Sequence, residues 1–442
     1  MGKLNLTNGV QGEPLDRGDM FTKGSRLFRW PPVTEGMRKA VLDVLEDYSM
    51  SGNSLTREFE QAFADWHGVR YGLGCSSGTA ALHCAMYGIG LGEGDELICP
   101  SITYWASCVQ AMNLRASVVF ADIEPDTLCL DPDDFERKIT PRTKAVVVVH
   151  QLGHPADMDR ILPIARSRGI RVIEDVSHAH GALYKGRLCG TFGDVAGYSC
   201  MSTKSFAVGE AGILLTNDRE IYERAILFAH HDRHSDLTDP ERKAFSGIPA
   251  GGFKYRMHQM SSAIGIEMVR IYPDRIREVD AAMNYFWDQL EGVPGLRPHR
   301  PSRWRDSTMG GWYCPHAHYL PEELHGLSVG TFCDALRAEG VSISWPGCNW
   351  PLSTHPLFSQ ADIYREGRPT NRTPPDGPLP VAESVNARCF FIPWLKQCDV
   401  KEIDRYVEIY KKVVEFHEEL LARDKDRKPD AARWMLSPHL FR

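Results

Sequence analysis

From residue 71 to residue 216, short apolar runs alternate with stretches of helical spacing, and few folds accept that pattern. Residues 144–150 (KAVVVVH) are apolar without the every-second-residue alternation of a half-exposed strand. They predict a strand covered on both faces, as in a parallel sheet. Residues 96–100, 117–121 and 171–175 predict further strands, and 131–138 and 158–168 predict helices between them. These are βαβ units, which give an α/β fold: a mostly parallel sheet flanked by helices. Ligands of such sheets lie beyond the carboxyl ends of the strands. Thr79, Tyr104, His150, Asp175 and Lys204 all fall at predicted strand ends or just past them.

The chain is too long for one core to keep growing, so more than one domain is expected. Residues 34–47 and 56–67 predict amphipathic helices, the second with Phe59, Phe63 and Trp66 on one face. From about Asp274 the composition changes. A long helix to residue 290 is followed by turns rich in Pro, Gly and Arg. Strand-like pieces at 312–319 and 341–345 then mix with helices at 329–339 and 401–421. We expect an N-terminal arm at 1–30, a large domain at 31–270, a smaller α+β domain at 271–424 and a tail at 425–442. Residues 359–381, rich in proline and charge, predict an exposed loop.

A net charge of −7 without a basic stripe argues against a nucleic-acid partner. No apolar run approaches the ~20 residues that span a bilayer, so no membrane partner is expected. The segment MGKLNLTNGVQGEP lacks the apolar core of a signal peptide, which points to the cytoplasm. The 12 cysteines are scattered, with no Cys-x-x-Cys and no zinc-like Cys/His spacing. They read as reduced thiols, and no metal is expected. His230, His231 and His234 read as a solvated loop.

Three places carry chemistry. Lys204 sits in YSCMSTKSFAVGEAGILL, at the turn between two predicted strands. A desolvated lysine has a lowered pKa and forms a Schiff base with an aldehyde, while an isolated lysine in a glycine loop is more often a surface residue. Ser76-Ser77-Gly78-Thr79 stands where a strand runs into a helix. Free N–H groups there make an anion site, or the serines act as an ordinary helix cap. Asp175 ends a strand at the predicted cleft, where a carboxylate needs a positive partner or several donors. A protonated pyridine nitrogen is such a partner. An amine for an aldehyde, a carboxylate for a ring nitrogen and a helix start for a phosphate together describe a pyridoxal 5'-phosphate site, with Tyr104 as a stacking face.

Six motifs occur in order: SSGTAALH, PSITYWA, VVVHQLGHPADMD, VIEDVSHAHGA, YSCMSTK with GEAGILLTND, and GGFKYRM with SSAIG. Together they resemble the DegT-type (DegT/StrS) sugar aminotransferases, over residues 35–270 strongly and the rest loosely. The resemblance implies the pyridoxal-phosphate transferase fold type I and a homodimer with shared active sites. It also implies transfer of an amino group from glutamate or glutamine to a keto-sugar, nucleotide-linked, or a keto-cyclitol. Lys204 takes the Schiff-base position and Asp175 that of the pyridine-nitrogen partner. Gly78, Thr79 and Ser199 take the phosphate positions, and Tyr104 that of the stacking aromatic. Lys254 stands where an asparagine of the neighbouring subunit usually meets the phosphate. His178 stands where a glutamine commonly lies near the cofactor's phenolic oxygen, and Ala211 replaces a glycine of GEGG. Some relatives carry histidine at the lysine position and act as dehydratases, which Lys204 disfavours. Two alternatives remain: another lysine-dependent reaction of the same cofactor, or a non-catalytic regulator that binds cofactor or sugar. Arg256, Tyr313 and His316 are candidate substrate contacts, each as readily structural.

Overall fold

The computed structural model describes residues 26–374 and 377–425, and two α-helices precede its first strand. The expected arm up to residue 25 and the tail from 426 lie outside the described residues. Thr34 starts the helix Glu35–Glu46 by accepting the Met37 N–H. The helix Ser54–His67 stops at Gly68, whose φ of 66° suits a residue without a Cβ.

Strands and helices then alternate as the apolar runs predict. The strands are β1 (Tyr71–Cys75), β2 (Glu96–Pro100), β3 (Ser117–Ala121), β4 (Thr143–Val149), β5 (Arg171–Asp175), the hairpin β6 (Leu183–Tyr184) and β7 (Arg187–Leu188), β8 (Val195–Ser199) and β9 (Gly212–Thr216). Seven form one sheet in the order β1-β9-β8-β5-β4-β2-β3. From β8 to β3 every pairing is parallel; β9 runs antiparallel to both β8 and β1. The KAVVVVH run is β4, and Ala145 to Val148 have no solvent exposure. Because β2, β4, β5 and β8 point the same way, the segments after Pro100, Val149, Asp175 and Ser199 gather at one edge of the sheet.

A second sheet, β10 (Leu296–Pro298), β11 (His316–Tyr319) and β12 (Cys389–Phe391), is antiparallel. Phe332 and Tyr410, from the helices Val329–Ala338 and Val400–Glu415, pack on its Phe390 at 5.6 and 6.3 Å.

Several expectations need correction. The helix expected after the loop at 251–257 and the long one expected from about Asp274 are a single helix of 31 residues, Gln259–Gln289, with Pro273 inside it. The expected boundary at 270/271 therefore falls within a continuous helix. The start of that helix is tied to the large sheet's layer, Gln259 donating to Thr56 Oγ1 at 2.7 Å. Its far end meets the small one, Tyr285 donating to Asp404 at 2.8 Å. The strand expected at 312–319 shortens to β11 because Trp312 and Cys314 have φ of 52° and 48°, outside extended conformation. Residues 341–345 form no strand. The 359–381 stretch is largely exposed, but Asn371 is buried. Its amide accepts the Val118 N–H (2.8 Å) and donates to the Val118 carbonyl (3.1 Å), closing the free edge of β3.

Candidate active site

At Ser76-Ser77-Gly78-Thr79 a helix cap and unpaired first-turn N–H groups occur together. Ser77 caps the helix Gly78–Gly88 by accepting the Ala80 N–H at 3.1 Å. Among the described residues no acceptor meets the N–H of Gly78 or Thr79, the first turn's unpaired donors. Residue 78 must be glycine for packing: a Cβ there would come within 2.6 Å of the Ser199 Cβ. The helix start therefore abuts the end of β8, and Ser77, Gly78, Thr79 and Ser199 line one cavity.

Period-two alternation along β5 separates two adjacent carboxylates. Glu174 is wholly buried on the structural side. It accepts the N–H groups of Gly190, Phe192 and Gly193, each at 2.7 Å, and bonds His150 Nε2 at 3.0 Å. Burial pushes its carboxyl up, but His150 and these N–H groups outweigh burial and hold it below the usual range. His150, placed at a strand end by the sequence, thus serves Glu174. Asp175 lines the cavity. Ser107 Oγ donates to its Oδ2 (2.7 Å) and the Ser177 N–H to its Oδ1 (3.1 Å). Ser107 has one proton and gives it to the carboxylate, so its 2.7 Å bond with Thr103 is donated by Thr103. Ser107, Thr103 and Ser177 escaped sequence analysis. Their signal was weak: short polar residues one to three positions from Tyr104 and Asp175.

Lys204 is 7% exposed. Burial lowers its amine to about 8, against weaker upward pulls from Cys314, Asp175 and Cys200. Its Nζ lies 4.1 Å from the centroid of the Tyr313 ring, over the face. The backbone is also fixed, since Trp30 Nε1 donates to the Lys204 carbonyl at 2.9 Å. His178 accepts the Leu152 N–H on Nδ1 at 3.3 Å. Burial, with Lys204 nearby, depresses its pKa well below 6.5, so the ring is neutral and carries its proton on Nε2.

The cavity these residues enclose measures about 260 Å³ and is also lined by Tyr104, Thr103, Glu210 and Met201. Of the sequence-predicted site residues, Gly78, Thr79, Tyr104, Asp175, His178, Ser199 and Lys204 come together in it. Lys254 does not: it is exposed, in a loop held by Phe253 against Phe228 (5.1 Å). Tyr313 lines the cavity, whereas Arg256 pairs with Asp232 at 2.8 Å and His316 is buried at the start of β11, bonded to the carbonyls of Cys314 and Gly347. Unpaired N–H groups and hydroxyls suit a phosphate ester. A doubly held carboxylate suits a protonated ring nitrogen, an Nε2 proton suits a ring oxygen, and a depressed amine suits an aldehyde. The donor set fits pyridoxal phosphate.

Comparison with known proteins agrees with this fit. The sequence model of the DegT/DnrJ/EryC1/StrS aminotransferase family matches residues 32–411. The L-glutamine:2-deoxy-scyllo-inosose aminotransferase of Streptomyces kanamyceticus is 33% identical over 348 residues, 76% of this chain and 80% of that protein. The GDP-perosamine synthase of Caulobacter vibrioides is 38% identical over 244 residues, 55% of this chain and 64% of that one. The X-ray structure of an aminotransferase from Psychrobacter cryohalolentis superposes with a TM-score of 0.75 at 25% identity, covering 90% of this chain and 99% of that one.

Proposed function

Because the chain belongs to the DegT/DnrJ/EryC1/StrS aminotransferase family, whose members use pyridoxal phosphate, we propose that it moves an amino group from L-glutamine or glutamate to the ketone of a cyclitol. One observation carries the reading: a buried amine, a doubly held carboxylate and an unpaired helix start face one cavity. The cyclitol is preferred over a nucleotide-linked sugar because the inosose enzyme matches through most of both chains, the GDP-perosamine synthase through just over half of this one.

Bound in the cavity, pyridoxal phosphate supplies an aldehyde for amines to condense with and a ring that takes up the electron pair of a breaking C–H bond. The chain does the rest. Gly78 and Thr79 offer backbone N–H groups, and Thr79 and Ser199 offer hydroxyls, to a phosphate dianion. Asp175 keeps a proton on a ring nitrogen, its carboxylate fixed by Ser107 and Ser177. His178 donates its Nε2 proton to a ring oxygen. Tyr104 covers a ring face. Lys204, freed as an amine, accepts the proton leaving the substrate carbon and returns it, a role suited to a group near 8.

The enzyme acts as a homodimer with shared sites. This is supported by an exposed apolar strip, Val33, Leu42, Leu45, Tyr48 and Met50, and by the outward placement of Lys254. It works in the cytoplasm, where its twelve free cysteines stay reduced.

The test is a half-reaction. Protein loaded with pyridoxal phosphate and treated with borohydride gains the cofactor's mass on the peptide containing Lys204. Untreated protein with glutamine alone passes to the amino form of the cofactor, and 2-deoxy-scyllo-inosose reverses the change. No mass on Lys204 removes the aminotransferase reading; no response to the cyclitol redirects it to sugar acceptors.

A further inference from the structure

Tyr313 lies in the turn before β11, between two residues, Trp312 and Cys314, whose φ of 52° and 48° few side chains adopt. That turn leads Tyr313 out of the small sheet and into the cavity wall. Its ring is clamped. The His178 ring lies 4.7 Å away, and Trp394 meets it edge-on at 5.9 Å. Trp394 donates to the Gly311 carbonyl (3.0 Å) and is covered in turn by Trp30 at 5.8 Å, the residue that also holds the Lys204 carbonyl. One set of aromatic side chains thus fixes both the lysine backbone and the surface on which its amine rests. Among the described residues no hydrogen bond or ion pair reaches Lys204 Nζ, so the Tyr313 face is its close electrostatic partner.

We propose that Tyr313 is a positioning residue for Lys204: its ring face holds the free ammonium at the cavity and sets how readily the amine gives up its proton. The negative face of an aromatic ring attracts a cation, most strongly away from water. Burial pulls the amine down to about 8, and a cation-attracting ring face 4.1 Å from Nζ acts in the opposite sense. The other groups facing the amine are known. Asp175, Cys200 and Cys314 pull it upward, His178 and His180 are neutral, and Glu210 and Tyr104 stand across the cavity. Asp175 is committed to Ser107 and Ser177. Without the ring face, burial acts with less opposition.

The inference rests on Lys204 being the reacting amine, and the experiment separates the two. Full-length, cofactor-free protein is labelled with trace acetic anhydride from neutral to alkaline pH, and acetylation of Lys204 is read by mass spectrometry. The wild-type midpoint is expected near 8. Tyr313→Phe keeps the face and the midpoint. Tyr313→Leu lowers the midpoint by about one unit, a roughly tenfold change in the proton equilibrium. A phenylalanine with a fully fluorinated ring at 313 preserves shape but reverses the quadrupole, and lowers the midpoint likewise. That variant decides the matter if the leucine protein does not fold. An unchanged midpoint with the fluorinated ring, or a Phe variant that shifts like Leu, overturns the role of the ring face. Borohydride attachment of cofactor to Lys204 in the same preparations tests the underlying reading separately.

Discussion

Glu174 and Asp175 are neighbours of the same charge, and the structure gives opposite expectations for neutralising each. Changing Glu174→Gln replaces one carboxylate oxygen by an NH2 group. Whichever way the amide turns, two of its four donors then face another donor. If nitrogen takes the Oε1 place it meets the N–H groups of Phe192 and Gly193, which the backbone holds fixed. If it takes the Oε2 place it meets Gly190 and His150. His150 cannot escape by switching tautomer, because its Nδ1 already accepts the Ala156 N–H at 3.1 Å. Two buried donors left facing donors cost about 1–3 kcal/mol each, so the variant should lose about 2–6 kcal/mol of stability. Asp175→Asn meets softer partners. The Ser107 hydroxyl can turn round to accept from the new amide, and Thr103 can turn with it. Its stability should stay within about 1 kcal/mol of wild type while turnover collapses, since an amide does not keep a ring nitrogen protonated. The sign of the pH effect follows from Glu174's lowered pKa. Its stabilisation is full above the unfolded carboxyl range and is lost as pH falls through the folded value, so Glu174→Gln should flatten the acid side of the stability curve. Urea unfolding at several pH values, with steady-state assays on the same samples, reads both effects. An unchanged unfolding midpoint in Glu174→Gln, or equal loss of stability in both variants, refutes the division of labour.

Three further outcomes are expected. Capture of pyridoxal phosphate by cofactor-free protein should rise with pH to a plateau above about 8, because roughly a tenth of Lys204 amines are neutral at pH 7 against about one in 3,000 for an unperturbed lysine; a rate still climbing near 10 contradicts this. Lys254→Ala should weaken cofactor retention by roughly 1.5–3 kcal/mol. In dimers mixed with Lys204→Ala subunits, one site should recover, and no recovery means that Lys254 serves its own subunit. Asn371→Ala should lower stability by about 2–4 kcal/mol in urea unfolding, because it strips two hydrogen bonds from the β3 edge and further ones to the carbonyls of Phe358 and Thr373; an unchanged midpoint means water replaces the amide.

Most of the large sheet was legible because its signal is local. Runs such as KAVVVVH and RVIED are buried on both faces, and nothing in their neighbours overrides that preference. The small domain was legible less well for the opposite reason. Residues 341–345 look like a strand, yet the place at the Phe390 edge goes to a single bridge at Pro346. The continuity of the helix Gln259–Gln289 was not legible because the change in composition near Asp274 looks like a boundary. Proline removes one hydrogen bond, and a helix packed at both ends tolerates that loss. Within the cavity, residues with reactive groups were found from sequence. Those that orient them, Ser107, Thr103 and Trp30, were not: Ser107 and Trp30 bond residues far along the sequence, and Thr103 acts only through Ser107.

The charge balance of the cavity bears on the homodimer proposed above. Its lining holds Asp175 and Glu210, a lysine that is partly neutral near pH 8, and a histidine kept neutral by burial. A phosphate dianion and the carboxylate of an amino-acid donor add about three negative charges in this reading. The helix start offers the equivalent of about half a positive charge. Anions confined in a low-dielectric cavity repel one another strongly unless cations pair with them. A protonated ring nitrogen at Asp175 and the ammonium fraction of Lys204 offset part of this charge, and a further cation beside the cavity would offset more. Lys254 is exposed, does not line its own chain's cavity, and rides on a loop stitched to the end of β1 by the Ser76 N–H bond to the Tyr255 carbonyl (2.7 Å). In the homodimer proposed above, a second copy docked over the exposed apolar residues between 33 and 50 would bring such a cation to the phosphate end.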